Sequence, residues 1–418
     1  MGKRYSLRRY LVGAVVARAG DEAAGPALML AGFAVAGSSV EASSLLAGVT
    51  LSAAVGGPLL GALLDRAGRP GQLLAGALVL YAAGLGTILA GLGRLPFAVT
   101  VLIAAVTGLA GPALSGGWTA QLPRVVPGDR LPRANALDAM TFSTAALAGP
   151  ALAGGVAEVA GDPWAVVVSV ALVALALPAA WTLPAARQLP AARTSERPAR
   201  SARAERAGLV TGGLLAGARI IASRPALARA TLSSAVSCVA QGMLTACVPL
   251  LGERVLGGAG RGAALLSCAA VAALFATAVL ARFPRVIAPG TAIWAGALVQ
   301  AAALASAVTG SPSVLVAAAL AMGCAEGPQL AALFTVRHRE APERLRGQVF
   351  TTGASVKITA FAVGAAAAGP LAARSLPAAL LLGAAVAACA VPAYFAIRDD
   401  RPPRTRTEHR PTDNPDCH

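Results

Sequence analysis

Twelve apolar blocks, each close to the length that crosses a bilayer, constrain this chain more than any other feature. They lie near 10–35, 43–64, 72–93, 97–119, 136–159 and 163–184, then near 228–251, 260–282, 290–309, 312–334, 349–372 and 376–397. About 20 apolar residues in a helix span the ~30 Å hydrocarbon core. Of the 418 residues, 56% are hydrophobic and only 13% are charged, against about a quarter charged in soluble domains. Ala and Gly dominate the blocks, and small residues let helices approach closely in lipid. The expectation is an all-α membrane protein with twelve transmembrane helices and the lipid bilayer as its surroundings.

The formal charge is +16, nearly all from Arg. The arginines sit in short loops between apolar blocks, which argues for topology and against a nucleic-acid partner. With the N-terminus placed inside, the inner segments carry 26 Lys and Arg and the outer loops carry 4. That asymmetry predicts a multi-pass protein of the cell (plasma or inner) membrane with both termini cytoplasmic. Lys3, Arg4, Arg8 and Arg9 before an apolar run resemble a leader. The run is interrupted by Arg18, Asp21 and Glu22 and resumes through Phe33, which fits a long first helix better. Five of the six cysteines lie inside apolar blocks without metal-ligand spacing, so they read as small buried hydrophobes and no metal site is expected. The three histidines, His338, His409 and His418, are assigned to a loop and the tail.

Residues 185–208 are rich in Arg, Ala and Pro with no apolar period, so they read as a solvated linker. Residues 209–224, with Arg219 and Arg224, suggest a short amphipathic helix along the inner surface. The domain expectation is a six-helix bundle over 1–184, a cytoplasmic linker over 185–227, a second bundle over 228–397 and a disordered tail over 398–418. The halves repeat. Gly111-Pro112 recurs 216 residues later as Gly327-Pro328, and Gly149-Pro150 recurs 220 residues later as Gly369-Pro370. Pro127, Asp129, Arg130 and Leu131 are answered by Pro342, Glu343, Arg344 and Leu345. Repeated halves place a binding site near the midplane between two pseudo-symmetric bundles.

Between the second and third blocks the chain reads GALLDRAGRPGQL over 61–73. Gly61 permits close helix contact and Gly68 a tight turn, Asp65 ends a helix, and Arg66 and Arg69 hold the loop inside. Taken alone this is a charged turn. After an inside N-terminus and two spans, it resembles the signature loop of the major facilitator superfamily, G-x-x-x-D-R-x-G-R, at Gly61, Asp65, Arg66, Gly68 and Arg69. The resemblance implies two six-helix bundles, a central cavity and alternating access. It also implies that Asp65 reaches the start of the eleventh helix near Arg346 and Gly347, latching the halves when the cavity faces out. The corresponding loop of the second half keeps Arg282 and Arg285 but not the Asp and Gly pattern. In the fifth span, AALAGPALAGG over 145–155 resembles the antiporter motif of drug/proton exporters. Gly149, Pro150 and Gly154 align, and Ala153 stands where that motif has Gly. The plain alternative is ordinary close packing about a proline kink.

Charges within spans are expensive, roughly 2.5–3.5 kcal/mol each at a helix centre, and must face protein or water. Arg18, Asp21 and Glu22 lie in the first span, Asp138 opens the fifth, Glu326 lies mid-tenth and Lys357 near the start of the eleventh. Arg18 and Asp21 are three apart and can pair on one helix face. The candidate proton carriers are Glu326 first, then Asp21 and Glu22, with Arg18 and Lys357 as charge partners; the alternative is a set of structural ion pairs. Gln241, Trp118, Phe142 and Phe334 are candidate cavity contacts, and Gln300 and Gln329 are further polar candidates. Each is also explained by packing.

The resulting expectation is a monomeric secondary transporter, not an enzyme, exporting a small organic molecule by alternating access. It needs no cofactor and uses the proton gradient as its energy source. Uptake by symport and a non-transporting sensor or scaffold are the rivals. No G-x-x-x-x-G-K-[ST] loop occurs, which argues against an ATP-driven pump. No His, metal cluster or activated nucleophile stands at membrane depth, which argues against an enzyme acting on lipids.

Overall fold

The computed structural model describes residues 5–36, 39–185 and 215–397. Residues 186–214, which hold nearly all of the predicted linker and the first six residues of the predicted amphipathic segment, and the tail from 398 lie outside the described residues. The first six long helices are α1 Leu7–Ala36, α2 Ser39–Arg66, α3 Pro70–Gly91, α4 Phe97–Gly108, α5 Leu131–Ala160 and α6 Asp162–Leu175. The last six are α7 Pro225–Leu256, α8 Ala259–Arg282, α9 Pro289–Ala307, α10 Pro312–Glu340, α11 Arg346–Arg374 and α12 Leu376–Ala396. Among the described residues, eleven helices are long and apolar enough to cross a membrane. The remaining long helix, α1, runs unbroken for 30 residues through Arg18, Asp21, Glu22 and Pro26.

Local sequence explains the ends. Proline at the first turn starts α3, α7, α9 and α10, where its missing N–H is no loss. Gly257, at φ 77°, ends α7 in the left-handed conformation that glycine favours. The fourth span is irregular. After Gly108 it turns at Leu109-Ala110, resumes helical at Gly111-Pro112 and continues as a π-helical turn over Ala113–Gly117. The related Pro328 lies inside an uninterrupted α10.

Several helices outrun their apolar blocks on the arginine-rich face. The fifth starts at Leu131 rather than 136, and the tenth ends at Glu340 rather than 334. Hydropathy marks the lipid-buried length, whereas the backbone stays helical into the polar margin. Two assignments change as a result. His338 is helical and buried rather than in a loop, and Asp138 lies two turns inside α5 rather than at its start.

The α1–α6 set shares one large apolar core that includes Tyr10, Leu28, Leu78, Tyr81, Leu85 and Trp118. The second set is built around Leu251, Leu304, Leu315 and Leu380, with a further cluster around Ile293 and Leu333. Large apolar side chains such as Val159, Phe275, Leu175 and Leu102 point outward, as a surface solvated by lipid tails requires. A short helix, Ala216–Ser223, buries Gly217 and Ile221 and exposes Arg219. The cysteines divide: Cys238 and Cys247 are buried, whereas Cys324 and Cys389 are exposed on the helix exteriors.

Candidate substrate cavity and gate

On the arginine-rich face the two halves meet in a tight seam. Asp65 ends α2 against the first turn of α11. Its carboxylate accepts hydrogen bonds from the backbone N–H of Gly347 at 2.6 Å and of Gln348 at 2.8 Å. The free N–H groups of a helix start, with the positive end of its dipole, suit a carboxylate. One turn earlier Gly61 faces the same helix, and a Cβ there would lie 2.5 Å from Gln348 Cα. Deeper in the seam the Ser355 hydroxyl donates to Ala53 O at 2.6 Å. Asn135 donates to Thr335 Oγ1 at 3.2 Å, and His338 Nε2–H donates to Thr119 O at 3.2 Å. Phe142 and Phe334 meet across the seam with ring centroids 5.6 Å apart. Arg124, in the connection between α4 and α5, joins the charged cluster around Asp65. Burial pushes its guanidinium pKa down, and Glu343 and Asp65 pull it back up.

The rest of the signature loop does less. Arg66 and Arg69 are exposed. Gly68 lies in the bend of the three-residue link between α2 and α3, without a left-handed backbone and with no neighbour within 4 Å of a Cβ. Two substitutions separate these contributions. Gly61→Leu should prevent seam closure by overpacking, an effect of about 1–3 kcal/mol or more. Asp65→Asn should weaken closure by ~1–2 kcal/mol, about tenfold in the balance of states. The check is thiol labelling of Thr352→Cys, buried near the seam on α11, which should rise strongly with Gly61→Leu and moderately with Asp65→Asn.

Above the seam lies a cavity of about 520 Å³. It runs from the middle of the helices toward the opposite face, where Leu251, Leu265 and Leu315 line it near the ends of α7, α8 and α10. Arg18, Asp21 and Glu22 of α1, Phe142 of α5, Gln241 of α7, Glu326 and Phe334 of α10 and Lys357 of α11 all line it. Glu22 and Glu326 come from opposite halves and are both open to the cavity. Lys357 is the cation that acts on Glu326. Gln241 accepts a weak bond from Cys238 Sγ at 3.7 Å.

Other placements depart from expectation. Arg18 and Asp21 do not pair. Arg18 donates from Nη1 to Asp138 Oδ1 at 2.9 Å and from Nη2 to Thr119 Oγ1 at 2.9 Å, and it also bonds Thr141. Its guanidinium stands 3.7 Å from the Phe142 ring centroid. Thr119 and Tyr10 donate to the same Asp138 carboxylate at 2.8 and 3.2 Å. Asp21 instead accepts from Tyr81 Oη at 2.6 Å, at the cavity's edge. Trp118 does not line the cavity; directly after the π-helical turn, it is fully buried and edge-on to Tyr10 of α1. Gln300 donates to Gln329 at 3.1 Å, and Gln329 donates to Ile293 O at 3.0 Å, so both serve packing within the second half.

The antiporter-like segment of α5 packs on the carboxylate region of α1. A Cβ on Gly149 would lie 2.6 Å from Glu22 Cβ, and Pro150 lines the cavity. Ala153, one turn on, is fully buried. Gly154 is exposed with no neighbour within 4 Å, so it provides no close-packing face. Gly149→Val should therefore displace Glu22 and abolish function, at about 1–3 kcal/mol of strain. Gly154→Ala should leave both folding and transport unchanged. Transport assays on the two variants, normalised to inserted protein, check this pair.

Arg337 is a cavity-lining residue that the sequence reading missed. Its position has a periodic signal: Glu326, Leu330, Phe334 and Arg337 fall on one face of α10 at helical spacing.

Paired sets of membrane-length helices around a charged cavity, sealed at one end by a helix-start latch, define a membrane transporter and not an enzyme. Residues 10–356 match the Major Facilitator Superfamily, and the chain belongs to that family. It is 28% identical over 376 residues to the uncharacterized MFS-type transporter y4rN of Sinorhizobium fredii, covering 86% of this chain and 88% of that one. Its fold is similar to that of the human organic anion transporter MFSD10 (TETRAN), with TM-score 0.73, 16% identity and coverage of 95% and 100% of the two chains. It is similar too to a bacterial homologue of the iron transporter ferroportin in an outward-facing state, with TM-score 0.72, 17% identity and coverage of 93% and 98%.

Proposed function

We propose that the protein is a proton-driven exporter of small organic molecules, working as a monomer in the plasma or inner membrane with its arginine-rich face in the cytoplasm. On this reading the structure is the outward-facing state, with the cytoplasmic seam latched by Asp65. The observation that carries the proposal is the pair Glu22 and Glu326, one on each half and both open to the same cavity. Protonating one member relieves the like-charge repulsion between the halves. Proton loading and substrate occupancy then favour different orientations of the cavity, which is the requirement for exchange. Gly149, packed on Glu22, ties the fifth helix to that carboxylate. Lys357 stands where it can take over Glu326 when the proton leaves.

The test uses inverted vesicles from an efflux-deficient host, energised to an acidic interior and screened with small organic compounds. Export predicts substrate-induced proton release with the wild type and none with Glu326→Gln. Release that survives Glu326→Gln removes the assignment of this carboxylate. Silence with inserted wild type, together with substrate-driven proton entry in right-side-out vesicles, makes the protein an uptake symporter.

A further inference from the structure

The floor of the cavity holds a charge that no carboxylate among the described residues neutralises. Arg337 lies three residues before the end of α10, is 2% exposed and lines the cavity. Its Nε and Nη2 have no hydrogen-bond partner, and no carboxylate lies within ion-pair distance among the described residues. Arg18 is the contrast, a buried guanidinium with a carboxylate and two hydroxyls around it. The negative end of the α10 dipole offsets part of the Arg337 charge, but a helix end amounts to only about half an elementary charge.

The guanidinium is held in place. It rests on the backbone of Gly353 in α11, where any Cβ would collide with it. The Phe350 ring lies on another side, its centroid 5.8 Å from Cζ. A buried cation without a partner is a large free-energy cost in a folded protein. Here it stands at a cavity wall, preorganised, where a ligand can complete it. The wall beside it is aromatic and aliphatic, with Phe142, Leu330 and Phe334. The acidic groups are elsewhere: Glu326 is eleven residues back along α10, about 16 Å at 1.5 Å per residue.

We infer that the cavity takes an amphiphilic organic anion whose acidic head docks on Arg337 and whose apolar body lies along Phe142, Leu330 and Phe334. A guanidinium offers a fork of N–H donors that matches a two-oxygen anionic head. This deepens the transport reading, because it rests on the cavity being a substrate site. It does not depend on direction or on proton coupling.

The experiment measures binding of benzoate, naphthoate, octanoate and dodecanoate, each beside its methyl ester, to the full chain in phosphatidylcholine nanodiscs. At least one acid is expected to bind, with its ester at least about tenfold weaker, since a site built for an anion rejects the neutral analogue. Arg337→Gln should lose that selectivity, Arg337→Lys should keep part of it, and Arg374→Gln, at an exposed position outside the cavity lining, should keep it. The wild-type preference for acid over ester stands as evidence even where Arg337→Gln does not fold. Absence of any acid preference in the wild type overturns the inference, as does unchanged selectivity in folded Arg337→Gln. Phosphatidylglycerol in the nanodisc should leave acid binding unchanged; its loss would assign the site to lipid headgroups and overturn the soluble substrate. Proton release driven by neutral compounds without acid preference would leave export standing and remove this inference. Acid binding without proton release would do the reverse.

Discussion

Arg18→Ala should yield little folded protein. Asp138 is fully buried, and Arg18 is its only ionic partner within 4 Å among the described residues. Removing one member of a buried pair leaves an uncompensated charge, typically at a cost of about 3–5 kcal/mol. Asp138→Asn should be less severe, since the amide oxygen still accepts from Arg18 while the cation loses its counter-charge. The double variant Arg18→Leu with Asp138→Leu should recover much of the stability, because an apolar pair removes both desolvation penalties. Thermal unfolding followed by size-exclusion chromatography in mild detergent measures all three. Equal loss in the single and double variants would show that the hydroxyls of Thr119, Thr141 and Tyr10 matter more than the charge pair.

The second large effect concerns coupling. Glu326→Gln should insert and fold, since Glu326 is open to the cavity and the amide keeps its size. It should still exchange substrate down a gradient, but concentrative transport should fall to background. Glu22→Gln should reduce pumping in the same assay. Counterflow and pumping measured side by side separate the outcomes. A loss of both would mean that Glu326 binds substrate instead of carrying the proton.

Much of this architecture is legible in the chain. The spans follow from block length, and the latch residue Asp65 follows from a spaced motif in a topological context. The structure sets that carboxylate on the N–H groups of Gly347 and Gln348, where the resemblance implied. What was not legible is what depends on tertiary pairing. Arg18 has a suitable acid three residues away, and local spacing favours it. The acid it meets, Asp138, is 120 residues distant, and nothing in the sequence announces the meeting. Arg337 was hidden for another reason. Hydropathy places it with the arginines of an inner loop, whereas α10 continues past its apolar block and brings Arg337 to the cavity. Aromatic residues were the weakest guide: Phe142 and Phe334 line the cavity while Trp118, equally plausible by composition, is core.

The central claim is that the two halves rock about the cavity, and paired distance measurements test it directly. Spin labels at Asp129→Cys and Arg285→Cys report the arginine-rich face. Labels at Arg94→Cys and Thr309→Cys report the opposite face. All four sites are exposed, and the native cysteines are replaced beforehand. Between high and low pH, or with and without substrate, one distance should lengthen as the other shortens. Distances that stay fixed under every condition, or that change in the same direction, would contradict alternating access in this protein.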